Sequence, residues 1–108
     1  MAKFELPQGT LDLLVLRVLS GGEMHGWGIA QRLTVLSNEA LKLQEGTLYP
    51  ALYRMEARGW IKAEWAQSEN NRRAKYYRLT KMGRTRLEQE RQDWDRLSDI
   101  VAAVLKAT

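Results

Sequence analysis

The sequence contains no cysteine, and that absence removes a disulfide scaffold, a thiolate metal site and a thiol nucleophile at once. It suits a reducing compartment, so a cytoplasmic location is expected. Histidine occurs once, as His25, beside Gly26 where a helical segment begins; capping or packing is the role expected there. The carboxylates are scattered, so no nucleophile is paired with a base, no metal-ligand cluster is spaced for binding, and no glycine loop is built for phosphate. The chain is expected not to be an enzyme and to need no cofactor or metal. Long apolar runs are also missing. Runs such as LLVL at 13–16 fall far short of the roughly 20 residues that cross a bilayer. Residues 1–8 show no basic stretch followed by an apolar one, so neither a membrane segment nor a targeting signal is read.

What is present describes a folded domain: 108 residues, 44% hydrophobic and 28% charged, enough for one modest core. Lys and Arg number 17 against 13 Asp and Glu, a formal charge of +4 that favours polyanionic partners. The excess is local. Between Asn70 and Leu87 stand Arg72, Arg73, Lys75, Arg78, Lys81, Arg84 and Arg86 with no acidic residue among them, and the rest of the chain is near balance.

Segment 9–19, GTLDLLVLRVL, is apolar on nearly every side and predicts a short enclosed helix with Thr10 as N-cap and Gly21-Gly22 as its stop. A second helix over 25–36 carries Ile29, Leu33 and Leu36 on one stripe. A third is predicted from about Gly46, placing Pro50 in a first turn that leaves donors unpaired, and ending at Gly59. Leu48, Leu52 and Met55 share its inner face; Thr47, Pro50, Tyr53, Arg54 and Arg58 lie around the other side, with Tyr49 on the flank. After Gly59 the period becomes two: residues 60–65 predict a strand with Ile61, Ala63 and Trp65 on one face. Residues 75–79 predict its partner, with Tyr77 and Leu79 inward, and SENNRRA between them forms a tip. Thr80 is the expected N-cap of a last helix reaching about Lys106, on which Leu87, Glu90, Trp94, Leu97, Val101 and Val104 recur at spacings of three and four.

The expected fold is therefore mainly α with a small β-hairpin: a winged helix-turn-helix over residues 1–80 and a long dimerisation helix over 81–108, forming one compact unit. In that arrangement Thr47, Tyr49, Pro50, Tyr53 and Arg54 are candidate groove contacts, and Arg72, Arg73 and Lys75 candidate phosphate contacts. Tyr49 serves equally well as packing at the core rim. Of the four tryptophans, Trp60 and Trp65 are expected in the core, and Trp27 near the junction of the second helix and the hairpin. Trp94 lies on the terminal stripe with Leu87, Leu97, Val101 and Val104, where contact with a second chain is expected.

These residues resemble the PadR family of transcriptional regulators over nearly the whole chain, through GTLDLLVLRVLS at 9–20, MHGWGIAQRL at 24–33, EGTLYPALYRMEARGWI at 45–61 and NNRRAKYYRLTKMG at 70–83. Leu-Tyr-Pro in a third helix closed by Arg-Gly-Trp-Ile is the most specific element. The resemblance implies a homodimer paired through the last helices, repressing transcription from a pseudo-palindromic double-stranded DNA operator and often answering a small aromatic or cationic effector. The length resembles the shorter subgroup, in some members of which a tryptophan matching Trp94 lines an interfacial pocket. Trp27 stands where the family commonly has tyrosine. The competing reading is a winged-helix protein interaction module without specific DNA binding.

Overall fold

The structure is a computed structural model that describes residues 6–107. Helix α1 (Gln8–Leu19) sends Leu11, Val15, Leu16, Val18 and Leu19 into the core, so it is enclosed as its all-round apolar sequence requires. The Pro7 carbonyl accepts from the Leu11 N–H at 3.0 Å, which starts the helix ahead of Thr10 and moves that residue from the expected cap into the first turn.

A two-residue strand, β1 (Met24–His25), leads into α2 (Gly26–Leu36). His25 closes the helix entrance: its Nδ1 accepts from the Gly28 N–H at 2.9 Å, the capping role its position implies. Ile29 and Leu33 are buried, but Leu36 is exposed because the last turn of α2 runs past the core. The following turn bends through left-handed Asn38 and Glu39, and the Thr34 hydroxyl ties it down by donating to the Leu41 carbonyl at 2.8 Å.

Helix α3 (Glu45–Ala57) buries Leu48, Ala51, Leu52 and Met55. It begins one residue ahead of Gly46, so Pro50 stands in the second turn and leaves the Gly46 carbonyl without an intrahelical donor. Both residues are exposed, which lets water take the donor's place. Gly59, at φ 79, then turns the chain out of α3 into a strand.

Strands β2 (Ile61–Gln67) and β3 (Arg73–Leu79) form an antiparallel hairpin whose tip contains left-handed Asn71. β1 adds to the far side of β3, pairing Met24 with Tyr77, so the expected two-stranded wing is a three-stranded sheet in the order β1-β3-β2. Ile61, Leu79 and Tyr77 are buried on the face toward the helices and Ala63 is half-buried. Trp65 continues that same face but is 61% exposed, not in the core as expected. The alternation holds; the hairpin simply extends beyond the helices that cover its base. Trp60 does pack against the core, as expected.

Helix α4 (Lys81–Lys106) is capped as anticipated, the Thr80 Oγ1 accepting from the Gly83 N–H at 3.0 Å. The same hydroxyl lies 2.6 Å from the Gly59 carbonyl oxygen and 3.0 Å from that of Trp60, fastening the helix start to the end of α3. Only its first turns are covered. Leu87 is buried in the chain's own core, which removes it from the expected intermolecular stripe, and from Arg91 onward the described residues are exposed. The four helices and the sheet form a winged helix-turn-helix with a long helix projecting from it. No described helix is long and apolar enough to cross a membrane.

Candidate nucleic-acid interface

Helix α3 is held from below by Leu48, Leu52 and Met55 and is free above. Thr47, Pro50 and Tyr53 are exposed there, Tyr53 at 75%, on a surface that carries no apolar contact obligation. Tyr49 occupies the flank facing α2. A Cβ built on Gly26 would stand 2.7 Å from its hydroxyl oxygen, so only glycine lets the first turn of α2 approach this ring. Tyr49 is thus both a packing residue and a partly exposed one.

Arg54 departs from its expected place. Its guanidinium turns inward and forms a hydrogen-bonded ion pair with Asp12 of α1, a residue only 4% exposed. An ionised carboxylate in an otherwise apolar helix requires such a partner. Burial raises the Asp12 carboxyl above its ordinary value of 3.8, with Arg54 and Arg58 pulling the other way. Arg58 in turn stacks on the Trp60 ring, its guanidinium carbon 5.2 Å from the centroid, and Arg86 of α4 approaches the same ring at 4.8 Å. One indole therefore joins the end of α3 to the start of α4.

The wing contributes the second half of the surface. Arg72 and Arg73 are exposed at its tip, and no carboxylate among the described residues pairs with either. Lys75 is half-buried. Its Nζ lies 3.3 Å from Glu56 of α3 and 5.7 Å from the Tyr77 ring, so part of its charge is engaged inside the fold. Between the wing, Tyr49 and the start of α2 runs an open groove of about 550 Å³ whose lining includes Trp27, Trp65, Arg73 and Lys75. Among the described residues no group of His, Asp or Glu could hold a metal ion.

The expected apolar stripe of α4 emerges with Trp94, Leu97, Val101 and Val104 all exposed, and Ile100 and Leu105 widen it. Ile100 stands three residues after Leu97 and Leu105 four after Val101, so the same spacing carries a signal for both. Glu90, which interrupts the pattern, forms an ion pair with Arg86 one turn earlier. Asp12, the other functional residue that sequence reasoning missed, does carry a signal: it is one of only two charged residues in segment 9–19.

Comparison with known proteins agrees with this geometry. A transcriptional regulator of Mycobacterium tuberculosis is 31% identical over 94 residues, covering 87% of this chain and 84% of that protein. Among solved structures, a PadR family transcription regulator from Clostridium difficile superimposes at a TM-score of 0.76 with 34% identity, covering 88% of this chain and 97% of the other. A PadR-like transcriptional regulator from Bacillus cereus gives 0.80 with 28% identity, covering 94% and 96%. These relatives are regulators rather than enzymes. Residues 15–89, which run from the core of α1 through α3 and the wing into the covered turns of α4, match the family described as transcriptional regulator PadR-like, and the chain belongs to that family.

Proposed function

We propose that this regulator acts as a homodimeric repressor that binds double-stranded DNA through α3 and the wing. The supporting observation is the pairing of an exposed polar and aromatic face on α3, bearing Thr47, Pro50 and Tyr53, with the unpaired cations Arg72 and Arg73 on the adjacent hairpin. In this reading α3 enters the major groove and reads base edges, and the wing and Lys75 meet phosphates. Arg54 supports the recognition helix from beneath instead of reaching DNA. Of the expected bounds 1–80 and 81–108, residues 1–5 and 108 lie outside the described residues; 6–80 form the DNA-binding unit and 81–107 carry the pairing helix, within a cytoplasmic protein.

Trp94, Leu97, Val101 and Val104 supply the dimer contact, flanked by Ile100 and Leu105. Six large apolar side chains exposed along one helix favour burial against a second copy. Two-fold symmetry then implies a pseudo-palindromic operator with half-sites about one helical turn apart. A small aromatic effector bound beside Trp94 would act by changing the spacing of the two recognition helices. Two measurements test this reading. Gel shifts on the promoter of its own operon are expected to show tighter binding than to random duplex at the same salt, and equal affinity refutes specific regulation. Light scattering is expected to give a dimer; a stable monomer overturns the role assigned to α4 and favours a protein interaction module.

A further inference from the structure

Trp27 and Trp65 belong neither to the core nor to the surfaces assigned above, yet both line the groove between α2 and the wing, 63% and 61% exposed. Their placement follows from the fold. Trp27 is the second residue of α2, lifted to the rim because Gly26 beside it sits under Tyr49. Trp65 is directed to the inner side of the wing by strand register, opposite Lys75, and the hairpin outruns the core before Trp65 can be buried. Leaving an indole in water forfeits the free energy of burying its apolar surface, so two of them on one groove mark a surface that something covers.

The groove's charge selects the occupant. Arg73 stacks on Trp65 with its guanidinium carbon 5.4 Å from the ring centroid, which fixes the guanidinium plane and leaves its N–H edge for an anion. Arg72 and Lys75 line the same groove, with Glu69 the sole carboxylate among its lining residues. One wall is formed by Tyr49 of the recognition helix and the other by the wing. A duplex engaged by both elements must pass one of its strands between them.

We infer that this groove seats the sugar–phosphate backbone of one DNA strand, with Trp27 and Trp65 packed against deoxyribose and Arg73 and Lys75 meeting phosphate. The inference rests on the DNA-binding reading and adds to it an apolar contribution to affinity. Phosphate contacts release counterions and weaken with salt, whereas an indole against a sugar carries no charge and leaves the salt slope alone. Both tryptophans are exposed, so replacing them leaves the core intact.

The test compares the full chain with Trp27→Ala, Trp65→Ala and the double variant on the operator fragment across a salt series, with hydroxyl-radical footprinting of the complexes. The double variant is expected to bind about tenfold or more weaker with an unchanged slope of log affinity against log salt, and to lose sugar protection beside the major-groove contact. If the double variant binds and protects DNA as the wild-type chain does, the groove holds no strand and the inference falls, while the DNA-binding reading stands. A slope that falls with affinity also overturns it, because the indoles would then act only by positioning cations. If the wild-type chain itself binds no duplex, the underlying reading fails and this inference with it.

Discussion

Arg54 of α3 and Asp12 of α1 form a partly buried ion pair, so the element expected to read DNA is clamped to the centre of the fold by a charge. Removing one member leaves the other poorly solvated and unpaired. Asp12→Ala is expected to cost about 1 to 3 kcal/mol, below the usual range for buried pairs because the Arg54 side chain is still 25% exposed. Adding Arg54→Met to Asp12→Ala should recover most of that loss. Urea unfolding of the four proteins in the cycle measures the coupling, and additive losses would show that the pair is not coupled.

The same carboxylate gives stability a pH dependence of known sign. Burial raises its pKa in the folded chain above 3.8, so the native state holds that proton over a range where the unfolded chain has released it. The native state then binds more protons than the unfolded one, and this group's contribution to stability declines as pH rises through the window above 3.8. The stability of the wild-type chain minus that of Asp12→Asn should accordingly fall as pH rises above 3.8. A difference that is flat, or that rises, contradicts the assignment.

Gly83 lies inside α4, where alanine ordinarily stabilises a helix by roughly 1 kcal/mol. Here the sign reverses. A Cβ at this position would stand 1.9 Å from the Trp60 carbonyl oxygen and 2.9 Å from Leu79 Cδ1. Gly83→Ala is expected to cost about 3 kcal/mol or more by prising the helix start from the sheet. Thermal unfolding checks it, with Gly9→Ala, which meets nothing within 4 Å, as the harmless control.

On the proposed DNA surface, Arg72→Ala with Arg73→Ala should weaken binding to every sequence and lower the salt slope by about 1 for each phosphate that is no longer neutralised. Tyr53→Ala should instead reduce operator binding more than binding to random duplex. Fluorescence anisotropy on both DNAs across a salt series separates the two outcomes, and equal losses for Tyr53→Ala would remove it from base reading.

The parts of this fold that are legible in the sequence are those fixed by local pattern. The shift of period at Gly59 marks the wing, Thr80 marks the start of α4, and His25 beside glycine marks a cap. Failures arise where one element's fate depends on another. Alternation assigns Trp65 its face correctly, but how far the helices extend over that face is not a local property. A helical wheel places Arg54 outward, since the pull of Asp12 comes from 42 residues away. Leu87 and Trp94 share a stripe, and only the packing of α1 and the sheet decides that one is covered by its own chain and the other is not. β1 is two residues long and carries no period at all.

Helix α4 spans 26 residues, about 39 Å at its rise per residue, yet it is gripped only at its first turns by Thr80, Gly83 and Leu87. It is a lever arm with its fulcrum at Trp60. A tilt of about 5° at that pivot sweeps the far end by roughly 3 Å. Because Arg58 and Arg86 share the Trp60 ring, the base of this arm and the end of α3 meet at one side chain, and a displacement at the far end of the arm is geometrically largest where it is least held.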